Sequence, residues 1–167
     1  MNLTDKLTAE LKRLAGSGST SPQSLSLSGP DGIDVEIDFT TVDTLSSSLR
    51  EIRLNVPSLQ QADTDVLERW AKALSERVTY LLENIGPLEI DRENQQVLIR
   101  STPPDQQAGS TKFYEMLLRS HDDGNFSLKR YVSENGTPGR MQVDIQATHE
   151  LLGKLIDDLV DTVPENA

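Results

Sequence analysis

Ile33, Val35, Ile37 and Phe39 alternate without a break with Asp34, Glu36 and Asp38. A period of two over seven residues puts every apolar side chain on one face of an extended strand and every carboxylate on the other. Such a strand is half-buried. It demands a sheet with one covered face, and something apolar to cover it.

The cover is also legible. Leu67, Trp70, Leu74, Val78, Leu81 and Ile85 recur at helical spacing, and Val66, Ala71 and Leu82 widen the stripe. This predicts a helix over 64–84, capped by Asp63 or Thr64 and stopped by Asn84 and Gly86-Pro87. Leu151, Leu152, Leu155, Ile156, Leu159, Val160 and Val163 predict a second helix over 148–163, with Thr148 as its cap.

Further strands surround them. Leu25 and Leu27 alternate with serines before the turn Gly29-Pro30-Asp31-Gly32, and Ile52, Leu54 and Val56 alternate with Glu51, Arg53 and Asn55. A meander of five strands is expected at 88–90, 96–101, 111–119, 126–133 and 140–146. Asp123-Gly124 and Asn135-Gly136 are strong hairpin signals, because both dipeptides tolerate positive φ. Consecutive hairpins imply antiparallel pairing. The expected class is α+β: an antiparallel sheet of about 6–8 strands with two main helices packed on one face, in the order (α)-β-β-(β)-α-β5-α.

Ahead of this domain, Leu3, Leu7, Leu11 and Leu14 share one face of a short amphipathic helix over 3–14. A helix that short is marginal alone in water and must dock to persist. Gly16-Ser17-Gly18-Ser19-Thr20-Ser21-Pro22-Gln23-Ser24 reads as a flexible linker. The expected organisation is residues 1–24 as helix plus linker, 25–163 as a single α+β domain, and 164–167 as a frayed tail.

Composition removes several function classes. The 167 residues include no cysteine, which rules out disulfides, thiol nucleophiles, thiolate zinc sites and cysteine-ligated iron–sulfur clusters. The net charge of −11 opposes phosphate binding, so no nucleic-acid partner is expected. Lys112, Arg119, Lys129, Arg130 and Arg140 make the meander locally basic beside Tyr131, but aromatic residues form only 4% of the chain, too few for a base-stacking sheet. No apolar run reaches the roughly 18 residues of a membrane span, and the first residues lack the basic start and apolar run of a secretory signal. No membrane association and a cytoplasmic location are expected.

Motifs that carry chemistry are scarce. There is no phosphate-binding loop, dinucleotide fingerprint, zinc-protease motif or nucleophile elbow. Asp34, Glu36 and Asp38 share a strand face, where a cation site competes with simple neutralisation by Arg50 or Arg53 across the ladder. His121-Asp122-Asp123 is ligand-like, but a stable metal site needs three or four convergent ligands, and His149 is not near in sequence. No catalytic residue, metal ligand or cofactor is expected.

Strand 111–119 is unusual in being apolar on both faces, with Tyr114, Met116 and Leu118 on one side and Phe113 and Leu117 on the other. Cover on both faces is therefore expected, from residues 3–14, from a second copy of the chain, or from a client. The leading expectation is a non-catalytic protein-interaction module, adaptor- or chaperone-like, forming a homodimer or holding a protein client. Its contact residues would be Phe113, Leu117, Leu3, Leu7, Leu11 and Leu14. One alternative is a small-molecule or lipid-binding pocket between helix 64–84 and the sheet, lined by Trp70, Tyr80, Tyr114 and Met116. A second is a carboxylate enzyme using His121 or the Asp34/Glu36/Asp38 face. The layout loosely resembles that of secretion chaperones, and of the helix-on-curved-sheet proteins of the TATA-binding and lipid-transfer type. This is a likeness of layout alone, and it implies no family.

Overall fold

A computed structural model describes residues 2–16, 22–81, 85–86, 88–101, 109–120, 125–134, 136 and 138–164. Helix α1 (Leu3–Gly16) is followed by strands β1 (Gln23–Ser28), β2 (Asp34–Val42) and β3 (Ser46–Asn55) and then by helix α2 (Thr64–Arg77). The meander runs through β4 (Glu89–Asp91), β5 (Gln96–Ser101), β6 (Ser110–Arg119), β7 (Phe126–Glu134) and β8 (Met141–Val143). Strand β9 (Ile145–Thr148) leads directly into helix α3 (His149–Asp161). The class is α+β, as expected.

The sheet is antiparallel throughout, in the order β1-β2-β3-β7-β6-β5-β4, with β8 on β7 and β9 on β3. Its register explains the core. Leu25, Ile37, Ile52, Leu128, Met116 and Ile99 stand opposite one another in turn across six strands. Leu27, Val35, Leu54, Phe126, Leu118 and Val97 form a second such row. All twelve side chains are buried.

Three helices cover this one face, against the two expected. α1 packs over β1 and β2, α2 over β4 to β6, and α3 touches both of them as well as β9. Leu3, Leu7, Leu11 and Leu14 are buried in the same core as the strand rows. Residues 3–14 therefore extend the cover of the first face and do not supply a second cover. Asn2 Oδ1 accepts from the Asp5 amide at 2.8 Å, satisfying one of the free N–H groups at the start of α1.

α2 ends at Arg77, seven residues before the expected stop. The next residues, Val78 and Thr79, are β-branched and lose side-chain freedom in a helix. Val78 still reaches the core, and its N–H closes the last turn on Leu74 O at 2.9 Å. The Thr148 cap is present: its hydroxyl accepts from the Leu151 amide at 3.1 Å.

Among the described residues the sheet has nine strands where about 6–8 were expected, because the single strand expected at 140–146 is two. β3 and β7 pair only over Ile52–Leu54 and Phe126–Leu128. Beyond that they diverge, and the chain enters the gap. It runs antiparallel to β7 as β8, reverses at Asp144, and returns antiparallel to β3 as β9. Arg50 fixes the apex: its guanidinium meets Asp144 at 3.3 Å, and its carbonyl accepts from Gln142 Nε2 at 2.8 Å. Arg50 is available there because the β2–β3 register shifts beside it.

Asn125, which directly follows the Asp123-Gly124 turn signal in the sequence, is completely buried. Its Oδ1 accepts from Val56 N at 2.8 Å and its Nδ2 donates to Arg119 O at 3.0 Å, so it joins the end of β3 to the β6–β7 connection. Asn125→Ala strands the buried Val56 amide and removes one partner of the Arg119 carbonyl, and should cost about 1–3 kcal/mol in urea unfolding. A loss below about 0.5 kcal/mol would show that water replaces the side chain.

Candidate functional site

The side of the sheet turned away from the helices is built from the other half of each alternation. One row runs Ser26, Glu36, Arg53, Ser127, Leu117, Leu98 and Glu89. It divides into a charged part on β2 and β3 and a mixed apolar and basic part on β5 to β8.

In the charged part, Arg53 stands opposite Glu36 and gathers three carboxylates: Glu36 at 3.0 Å, Asp38 at 2.6 Å and Glu51 at 2.9 Å. The hydrogen bond from Arg53 holds the Asp38 carboxyl below its ordinary range, against the opposing effect of burial; Ser24 Oγ donates to the same carboxylate at 2.8 Å. The Arg53 guanidinium is correspondingly raised, chiefly by Asp38. Neutralisation across the ladder is thus what the Glu36 and Asp38 carboxylates meet. Asp34 is exposed opposite Asn55.

His149 does not form a centre with these groups. His121, Asp122 and Asp123 lie outside the described residues. His149 opens α3 and places Nε2 2.8 Å from Ser47 Oγ, tying the helix start to β3. Burial lowers its pKa, opposed by the Ser46 carbonyl and the Asp43 charge. Among the described residues, no group of three His, Asp or Glu side chains is arranged to hold a metal.

The mixed part carries the feature of interest. Phe113 on β6 and Tyr131 on β7 are partners in register, and their rings stack with centroids 5.8 Å apart and planes at 27°. The Arg140 guanidinium lies 4.0 Å from the Tyr131 ring centroid, a cation–π distance. Arg140 also pairs with Glu115, whose largely buried side chain meets Arg100 Nε at 3.8 Å. A cleft of about 490 Å³ opens here, lined by Phe113, Arg100, Arg140, Thr111 and Ser133, among others. Two same-face positions along β6, beyond Glu115, Leu117 pairs with Leu98. Phe113, Leu117, Leu98 and Tyr131 are all half-buried.

Phe113 and Leu117 thus lie where the two-sided pattern of the strand puts them, on the face opposite the helices. The other expected contact residues do not join them. Leu3, Leu7, Leu11 and Leu14 are spent inside the core on the far side. The sequence pointed to Tyr131 and Arg140 only as part of a basic stretch. Their assembly with Phe113 depends on the strand register, although the alternation of Lys129, Tyr131 and Ser133 already put Tyr131 on that face.

The expected pocket residues are dispersed. Trp70 is fully buried, donates Nε1–H to Thr162 Oγ1 at 3.1 Å and packs 5.7 Å from the Phe126 ring. Met116 is part of a core row. Tyr114 lies under the Arg130 guanidinium at 5.2 Å, with its phenol pKa raised by burial. Tyr80 donates its hydroxyl to Asp158 at 2.7 Å; burial and that bond raise its pKa. Asp158 also meets Arg77 and Lys154, at 3.2 and 3.5 Å, so it ties the end of α2 to α3. A cleft of about 650 Å³ lies elsewhere, between the start of α1 and α3, lined by Leu3, Lys6, Pro30, Arg77 and Asp161. None of the four expected residues lines either cleft.

Arg53→Met should lower stability by about 1–2 kcal/mol at pH 7, the range of a partly exposed ion network. The folded pKa of Asp38 lies below its unfolded value of about 3.9, so its contribution is full above that value and is lost as the pH falls through the folded value. The gap between Arg53→Met and wild type should therefore narrow below about pH 4 in urea titrations. An equal gap at pH 3 and pH 7 would assign the effect of Arg53 to packing of its stem.

No family model matches the chain, and no curated protein and no solved structure shows significant similarity to it.

Proposed function

We propose that the protein is a non-catalytic interaction module, adaptor- or chaperone-like, that holds a protein client on the open face of its sheet. The observation that carries the reading is the Phe113–Tyr131 stack with Arg140 laid on it, beside Leu98 and Leu117, on the face that none of the three helices covers. Buried aromatics and arginine dominate the energy of protein interfaces, and their usual surround is a polar rim. Thr111 and Ser133 are rim groups of that kind, and the largely buried Glu115 holds two guanidiniums in place beside the rings.

The chemistry of the corner describes the client. Phe113, Leu98 and Leu117 accept an aromatic or aliphatic anchor. Arg100 is already paired with Glu89 and Glu115, and Arg140 with Glu115, so they offer hydrogen-bond donors around that anchor without a net charge. The client is therefore a segment with apolar anchors flanked by hydrogen-bond acceptors.

The double variant Phe113→Ser/Leu117→Ser removes the apolar part while leaving the core rows intact. It should keep the wild-type circular dichroism spectrum and bind the client at least tenfold more weakly, the loss of about 1.4 kcal/mol expected for two contact residues. The measurement is affinity capture from lysate of the native organism with wild-type and variant protein side by side. A client retained by the wild type and lost by the variant fits the reading. Identical captured sets would overturn it.

A further inference from the structure

We infer that the free edge of β1 pairs with the same edge of a second copy, antiparallel and centred on Leu25, so that one sheet runs through a dimer. This seam is separate from the client face and rests on different residues.

β1 ends the sheet, and among the described residues its only strand partner is β2. The direction of its backbone groups follows from the turn. Gly29 N–H donates to Ile33 O at 2.7 Å, which makes that pair a hydrogen-bonded one. Bonded pairs recur every second residue in an antiparallel ladder, so Leu27 and Leu25 bond towards β2. Ser24, Ser26 and Ser28 then direct their N–H and C=O groups away from the sheet. Lys6 confirms the direction by donating Nζ to Ser28 O at 3.0 Å.

Among the described residues, the middle of this edge, between Pro22 and the Lys6-bound Ser28 carbonyl, lacks the usual protection. Proteins guard exposed edges with charge, proline, bulges or shortness. The opposite edge, β4, has three residues and carries Glu89 and Asp91. β1 has six residues, Gln-Ser-Leu-Ser-Leu-Ser, with no charge and an unbroken register against β2. Two copies of a chain with net charge −11 meet there without opposing carboxylates. The neighbouring α1 adds no acidic excess, since it carries Lys6, Lys12 and Arg13 against Asp5 and Glu10.

The ends of the edge select the register. Pro22 has no N–H, and the Ser28 carbonyl is already occupied by Lys6. Centring the pair on Leu25 sets Pro22 opposite Ser28 of the second copy, so the missing donor meets the occupied acceptor. Ser24 then faces Ser26 of the second copy, each donating to and accepting from the other. Centring on Ser26 would bring a Ser24 N–H to the occupied Ser28 carbonyl. Centring on Ser24 would leave a Ser26 carbonyl facing the proline. The Leu25 register also keeps all leucines on the helix side and all serines on the open side.

Sedimentation velocity of the full chain at micromolar concentration is expected to give twice the 18.5 kDa chain mass. Ser26→Pro removes an N–H that points away from β2, so it should give a monomer with an unchanged circular dichroism spectrum. Because the chain has no cysteine, Ser24→Cys and Ser26→Cys chains can be mixed and oxidised. The mixture should form a disulfide-linked pair, and neither variant alone should do so. This second result decides the matter if Ser26→Pro fails to fold. A monomeric wild type, or a dimer that yields no mixed disulfide, overturns the seam. A dimer that survives Phe113→Ser/Leu117→Ser shows that the seam and the client face are independent.

Discussion

Everything in this fold depends on two rows of apolar side chains carried in register across six strands. Each row is assembled from residues far apart in sequence: Leu25 meets Ile37, Ile37 meets Ile52, and Ile52 meets Leu128. A slip of one residue in any strand would turn its core residues to water and its charges inward. The rows therefore hold the strand order and the register together, and they create the apolar surface that α1, α2 and α3 exist to cover. Trp70 shows how the helices complete it, with its ring against Phe126 and its N–H satisfied by Thr162.

Among the described residues the helices leave the second face open, and that face is organised by charge. Arg53 gathers Glu36, Asp38 and Glu51, while Glu115 takes Arg100 and Arg140. Such pairs contribute modestly to stability in water, but they set where partners of either sign are welcome. Acidic groups gather on β2 and β3, and cations with aromatic rings on β5 to β8. The divergence of β3 and β7, filled by the chain that reverses at Asp144, puts Gln142 opposite Tyr131 and Arg140 just before β8, within reach of its ring. The fork in the sheet thus helps to build the corner that marks the candidate contact face.

Local pattern carried most of the elements. Alternation at Ile33–Phe39 and helical spacing from Leu67 to Leu74 need no partner to be recognised. What was hidden depends on partners. The leucine stripe of residues 3–14 showed that one face must be buried, but not whether α3 and β1 or another molecule would bury it. The break at Asp144 is invisible in Met-Gln-Val-Asp-Ile-Gln-Ala-Thr, because it arises from β8 and β9 choosing different neighbours. Phe113 stood out through the two-sided pattern of its strand, whereas its stack on Tyr131 required the β6–β7 register. Asn125 carries no signal in the sequence, and its bonds to Val56 and Arg119 follow from tertiary contacts alone.

The central claim is that all three helices, α1 included, cover a single face and leave the other open. Hydrogen–deuterium exchange on the intact chain tests it most directly. The amides of Leu7 to Leu14 should be protected to a degree comparable with those of α3, because α1 is held in the same core. Exchange of those amides within seconds, with α3 and the sheet still protected, would contradict the account: it would free the leucine stripe and expose the β1 and β2 part of the face that α1 is meant to cover.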